Sequence, residues 1–316
     1  MKSLSQAVTD YLELRRALGF KLVVDERHLR KFIAFLEARN TAHLTTQLAL
    51  EFATLSKNVD PGWWVQRLCA IRAFALYWQG FDPQSEVPPA GLLRCPAKRA
   101  RPRFLSELQL VQLMELARGT SSSGTHGLRP WTLYTLFGLL AVTGMRISEA
   151  LHLQVHDIDW DPGVLTVHKT KFGKSRLVPL HPSTVQALAA YAQRRERYFA
   201  GASTPPCGHF FVSNRGTALS DGNIRGGFGA LLLKAGLLPS EHGRPRLHDL
   251  RHRFAVETLR GWYQAGEPVE QRLPALSTYL GHVNVAATYW YLSCTPELQA
   301  AASARVEARW EGGRHD

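Results

Sequence analysis

The stretch WTLYTLFGLLAVTGMRISEAL, residues 131 to 151, decides the fold. Residues 131 to 142 are apolar almost all the way round, whereas a surface helix shows only an apolar stripe, so this helix belongs at the centre of a domain. Gly144 ends it. Arg146 follows at once, and an arginine set against a core needs a carboxylate or an anionic ligand. Glu149 stands one turn later, able to brace it. On those two residues alone, a structural ion pair is the ordinary explanation.

Toward the C-terminus, residues 164 to 167 and 176 to 180 flank a polar turn and read as a β-hairpin with Lys169, Lys171 and Lys174 at its tip. Helical spacing resumes over 183 to 199, 223 to 235 and 248 to 262. Residues 278 to 292 read as two short segments broken at Gly281, with His282 at a helix start. Toward the N-terminus, Ser106 and Gln109 form a capping box that opens the second domain. Ahead of it, residues 81 to 103 mix five prolines with Arg94, Lys98, Arg99, Arg101 and Arg103, the pattern of an extended basic linker. Four amphipathic helices fill the first 80 or so residues, the last opening at Pro61. The expected fold class is therefore mainly α with a small β-sheet (α+β): a helical domain over 1–85, a linker over 86–103 and a second domain over 104–316.

Lys and Arg number 38 against 26 Asp and Glu, a formal net charge of +12, which points to a polyanionic partner. Cys69, Cys95, Cys207 and Cys294 form no paired spacing, so they read as small buried apolar residues in a reducing compartment, not as zinc ligands or disulfides. No run of 18 uninterrupted apolar residues occurs, and a cytoplasmic protein without a membrane anchor is expected.

Four short stretches carry chemistry: TGMRISEAL at 143 to 151, KTKFGKSRLVPL at 169 to 180, LHDLRHRFA at 247 to 255 and YLGHVNVAATYWYL at 279 to 292. His248 and Arg251 share one helix face and can converge on a single group. His248 and His252 have the spacing of a metal pair, but no glutamate stands between them as in HExxH and no third ligand is obvious, so no metal is expected. Tyr289 and Tyr291 flank Trp290, and such aromatic clusters are more often packing than catalysis.

Taken together and in order, these stretches resemble the tyrosine recombinase family, also called phage integrases, from about residue 103 onward. The N-terminal helices resemble the family's core-binding domain in pattern and length only. The resemblance implies one site made of Arg146, Lys171, His248, Arg251, His282 and Tyr291, with Glu149 behind Arg146. It implies a site-specific recombinase that cuts and rejoins DNA through a 3′-phosphotyrosyl link to Tyr291, without metal, cofactor or ATP. Two guanidiniums clamp the non-bridging phosphate oxygens. His248 accepts the tyrosine proton or holds the phosphate in line, Lys171 protonates the leaving 5′ oxygen, and His282 donates a hydrogen bond to the phosphate. The implied partners are double-stranded DNA and a homo- or hetero-tetramer of recombinase chains, with accessory or sister recombinases possible. Lys98, Arg99, Arg101, Arg103, Lys174 and Arg176 are expected to contact phosphates. The 31-residue step from Arg251 to His282 resembles transposon-associated or integrative-element members more than the chromosome-resolving Xer group. Three other readings stay open: a catalytically dead DNA-binding accessory protein, a single-subunit topoisomerase, and a metal-dependent nuclease or transposase. The last needs clustered carboxylates, which Glu149, Asp157, Asp159, Asp161 and Asp249 do not form in sequence.

Overall fold

The structure is a computed structural model. It describes residues 3–41, 43–94, 102–119, 127–168, 175–237, 243–293 and 295–312, excluding the side chains of 306 and 308–312. The chain divides into two compact units, Met1–Arg99 and Ala100–Asp316.

The first unit holds four helices: α1 (Leu4–Ala17), α2 (Val23–Glu37), α3 (Thr46–Thr54) and α4 (Pro61–Trp78). Ser3, Thr45 and Asp60 each accept a backbone N–H at the starts of α1, α3 and α4, and Pro61 occupies the first turn of α4. The apolar spacing buries Val8, Tyr11, Leu12, Leu29, Phe32, Leu36, Ile71 and Phe74 together, each side chain contributing about 1.5–3 kcal/mol on leaving water. The expected linker starts too early. Glu86 N–H donates to Leu44 O (2.7 Å), Arg72 donates to Pro88 O, and Val87 and Leu93 pack on this core, so the segment through residue 94 is anchored to the four helices. Prolines at 88 and 89 forbid a helix there, but not docking. Cys69 is exposed and Cys207 half-buried, correcting the buried reading for those two. Cys95 and Cys294 lie outside the described residues.

The second unit opens with Leu105 in its core and the capping box of Ser106 and Gln109 at the head of α5 (Glu107–Arg118). Next comes α6 (Arg129–Thr143), the helix expected at the centre, with ten buried residues including Leu136, Phe137 and Leu140. It is followed by α7 (Ile147–Leu151), then β1 (Ile158–Asp159), β2 (Val164–Val167) and β3 (Arg176–Pro179), one antiparallel sheet in the order β1-β2-β3. Val167 pairs with Arg176 at the last described rung of β2 and β3; Lys169, Lys171 and Lys174, expected at a hairpin tip, lie outside the described residues. The helices α8 (Pro182–Phe199), α9 (Asp221–Lys234) and α10 (Leu247–Gln264) fall close to where the spacing placed them. After α10 the break expected at Gly281 is present, but the segment before it is longer than expected. The chain forms a twelve-residue helix, α11 (Val269–Leu280), then α12 (Ala286–Tyr289), a 3-10 turn over Trp290–Ser293, and α13 (Pro296–Gly312). His282 therefore stands just past the end of a helix, not at the start of one. Leu298 of α13 is buried beside Tyr291, and Arg305 donates to Glu267 O, so this last helix packs on its own unit.

Candidate active site

Two helix ends build the site. The last carbonyls of an α-helix have no partner within it and carry partial negative charge. Both α6 and α11 terminate in a left-handed glycine, Gly144 (φ 60°) and Gly281 (φ 67°), which turns the chain and leaves carbonyls pointing outward. Arg251, from α10, donates to Gly144 O (2.8 Å) and Leu280 O (2.7 Å), and Arg146 donates to Gly281 O (2.9 Å). The two guanidiniums thus rest on neighbouring carbonyls of one helix end. Neither glycine tolerates a side chain: a Cβ at Gly144 would come within 2.6 Å of the Phe254 ring, and one at Gly281 within 2.9 Å of the Arg176 guanidinium.

Arg251 is only 2% exposed, and burial together with repulsion from Arg146 pulls its pKa down to about 10, so it is charged at neutral pH. Attraction to Tyr291 and Glu149 acts the other way. Glu149 is the shared counter-ion. It takes hydrogen bonds from Arg146 Nη1 (2.8 Å) and the Arg146 backbone N–H, and both terminal nitrogens of Arg176 at 3.0 and 2.8 Å. Burial favours protonation of Glu149, but the combined pull of Arg176 and Arg146 prevails and holds its pKa below the usual carboxylate value.

Arg176 is a correction. Expected to lie on DNA, it turns inward instead, 9% exposed, with its Nε donating to Tyr279 O (2.7 Å) and its fork gripping Glu149. A planar guanidinium facing a buried carboxylate gains more from that bidentate pairing than from a solvated phosphate. Arg103 donates to Gly243 O. Lys171, Lys174, Lys98, Arg99 and Arg101 lie outside the described residues.

Three histidines line the same region. His248 is exposed at the surface yet crowded on its inner side; loss of hydration and the charge of Arg251 bring its pKa down to about 4. His282 is also pushed to about 4, by burial first and then by Arg251 and Arg146. Its Nδ1 lies 2.7 Å from Oγ1 of the fully buried Thr288, which fixes the ring. Tyr291, 2% exposed, lies in an apolar cluster with Leu259, Leu273, Leu280 and Leu298, its ring parallel to that of His282, 19° between planes and 6.1 Å between centroids. Its hydroxyl meets Nδ1 of His252 at 3.1 Å, not His248. Tyr289 by contrast is 51% exposed.

Sequence reasoning singled out His252 only as half of a metal pair, and missed Thr288, the inward turn of Arg176 and the contact of His252 with Tyr291. The only available signal for His252 was its place one helical turn after His248. Among the described residues no three His, Cys, Asp or Glu side chains are grouped to hold a metal ion, and no helix is long and apolar enough to cross a membrane.

Comparison with known proteins identifies the family. The phage integrase family model matches residues 103–297. The chain is 48% identical over 314 residues to the integrase/recombinase y4rB of Sinorhizobium fredii, covering 98% of this chain and 99% of that one. It is 30% identical over 283 residues to the tyrosine recombinase XerC of Xanthomonas campestris pv. campestris, covering 88% and 79%. Among solved structures, the Tn1549 transposon integrase in complex with transposon right end DNA superposes with a TM-score of 0.66 at 18% identity, covering 97% of this chain and 99% of that one. A lambda integrase dimer bound to a COC′ core site superposes at 0.59 and 17%, covering 90% and 96%. The chain belongs to the phage integrase family, the tyrosine-type site-specific recombinases.

Proposed function

We propose that this recombinase cleaves and rejoins duplex DNA with Tyr291 as nucleophile and a scissile phosphate held between Arg146 and Arg251. The observation that carries the reading is the convergence of those two arginines on the carbonyls of Leu280 and Gly281, next to the parallel rings of His282 and Tyr291. Permanently charged forks supported by helix ends are prearranged for charge that develops on non-bridging oxygens. Since the phenol oxygen forms the new P–O bond while the 5′ oxygen leaves, the product is a 3′-phosphotyrosyl ester and a free 5′ hydroxyl. The bond energy is retained, so rejoining to another strand needs no nucleotide. Lys171 supplies the proton to the leaving oxygen. With the Thr288 hydroxyl donating to Nδ1, His282 carries its proton on Nε2, ready for a phosphate oxygen.

The net charge of +12 and the DNA named in the structures of its neighbours support duplex DNA as the partner. The lambda integrase tetramer bound to a Holliday junction supports a tetramer during strand exchange. Lys98, Arg99, Arg101, Arg103 and Lys174 would add phosphate contacts, each steepening the salt dependence of binding by roughly one unit.

The test is a covalent adduct. Mixed with labelled duplex carrying its target site, in excess chelator, and then denatured, the wild-type chain retains the label; Tyr291→Phe binds the duplex and retains none, and Tyr289→Phe behaves as wild type. An adduct in Tyr291→Phe at wild-type yield, or cleavage that depends on added magnesium, would overturn the reading.

A further inference from the structure

We propose that His252 is a further catalytic residue, whose Nδ1 takes the proton of the Tyr291 hydroxyl as the phenol oxygen attacks phosphorus. The inference rests on Tyr291 being the nucleophile. A phenol has a pKa of about 10 in water, and burial makes its ionised form still harder to reach. Tyr291 is 2% exposed, so its proton must pass to a partner within reach. One such partner is in contact: His252 is itself buried, 8% exposed, with Nδ1 3.1 Å from the hydroxyl oxygen. A neutral imidazole with its proton on Nε2 offers Nδ1 as an acceptor at that distance.

The other two histidines are less suited. Nδ1 of His282 is engaged by Thr288. His248 lies one turn before His252 on α10 and presents its ring edge-on to that of His252, centroids 4.5 Å apart and planes at 83°, on the exposed side. The order from core to surface is Tyr291, His252, His248. Trp290 closes a further side of His252, with centroids 5.2 Å apart. The attraction between Tyr291 and Arg251 favours the phenolate in the same step.

The step balances. A lone pair of the Tyr291 oxygen forms the new O–P bond, the hydroxyl proton goes to Nδ1 of His252, and the P–O bond to the 5′ oxygen breaks with its pair, that oxygen taking a proton from Lys171. In rejoining, the attacking 5′ hydroxyl gives its proton back to Lys171 as it displaces Tyr291, and His252 returns its proton to the departing phenol oxygen. One imidazole then serves both directions.

The test changes both the acceptor and the acidity of the donor. His252→Asn keeps a polar atom near the Nδ1 position but cannot take a proton. Single-turnover adduct formation should fall about 10²–10⁴-fold, the range for loss of a general base, while duplex affinity stays at the wild-type value. Placing 3,5-difluorotyrosine at 291, a more acidic phenol, should then recover at least about tenfold of that loss in the variant and little in the wild type. Wild-type rates in His252→Asn, or a deficit unchanged by fluorination, would make His252 a packing residue only. His252→Gln is the second variant should Asn fail to fold. In the otherwise intact chain, Tyr291→Phe should shift the Nδ1 resonance of ¹⁵N-labelled His252, and no shift would end the proposal. An adduct surviving Tyr291→Phe would instead overturn the nucleophile assignment itself.

Discussion

The two units each contain a glutamate gripped by two arginines, and they use it differently. In the first unit Glu26 pairs with Arg16 and Arg30, and the three side chains are 26%, 42% and 52% exposed. In the second unit Glu149 pairs with Arg146 and Arg176, and the three are 5%, 26% and 9% exposed. Both carboxyls are held below their ordinary pKa by their arginines, so charge pairing alone does not distinguish them. Solvent does. Water screens the exposed trio and competes for its donors, leaving little net stabilisation. At Glu149 water is largely excluded, so the charges have few alternative partners and geometry becomes fixed, at the cost of desolvation. The same three residue types make a surface decoration in one unit and the foundation of a phosphate clamp in the other.

The largest effect should therefore come from removing the buried carboxylate. Glu149→Ala leaves two arginines facing each other without a counter-ion, a change that costs about 3–5 kcal/mol when a buried pair is broken. In urea unfolding of the full chain the transition of the second unit should move to lower denaturant, and adduct formation should drop at least about 10²-fold as Arg146 loses its support. Glu26→Ala should shift neither midpoint nor rate. Equal effects of the two substitutions would mean that burial is not what separates the two trios.

A second contrast concerns glycines at helix ends. At Gly80, after α4, a Cβ would meet only Tyr77 O at 3.6 Å, an ordinary contact, whereas at Gly144 it would press on Phe254 in a backbone with φ 60°. Gly144→Ala should destabilise by roughly 2 kcal/mol through strain and overpacking. It should also weaken catalysis, because Arg251 leans on the carbonyl of that residue. Gly80→Ala should be close to neutral by the same denaturation measurement. A well-behaved Gly144→Ala enzyme would show that the α6 end can relax without disturbing the clamp.

Legibility in the sequence follows the same division. The first unit was readable because its buried positions are apolar and repeat with the helix, as Leu29, Phe32, Ile33 and Leu36 do. The central helix, the hairpin and the order of Arg146, His248, Arg251, His282 and Tyr291 were legible from composition and from a family pattern. What failed depended on partners distant in sequence. Arg176 read as a phosphate contact because its partners, Glu149 and Tyr279, stand 27 and 103 residues away. Only the end of α11, before Gly281, was legible; Pro274 inside it removes a helical donor and masks the earlier turns. Yet Val269, Leu273, Leu276 and Leu280 keep helical spacing and are buried, while Pro274 and Glu270, whose carbonyl loses its helical donor, are exposed to water. His252 was weighed only as half of a metal pair, since nothing in its neighbourhood along the chain announces a tyrosine 39 residues on.

The smallest effect is one of pH, and its sign separates imidazole from carboxylate. His248 and His282 have folded pKa values of about 4, below the ordinary 6.5. Between those values the unfolded chain binds protons at these two positions that the folded chain refuses, so stability falls as pH drops from about 6.5 toward 4. Glu149 adds a loss of the same sign but in a lower window, because a depressed carboxyl gives up its contribution only as pH falls below the ordinary carboxylate range. His28 of the first unit, also lowered by burial and then by Arg67, acts in the imidazole window as well. His282→Asn, which keeps a polar atom toward Thr288, should therefore flatten the decline of the second unit's melting temperature between pH 6.5 and 4. The decline below pH 4 should persist unchanged, since the carboxylate that causes it is still present. His28→Gln should flatten the same window only for the first unit. If His282→Asn melts in parallel with wild type throughout, the imidazole is not suppressed in the free protein, and the positive field of Arg146 and Arg251 is already neutralised before DNA arrives.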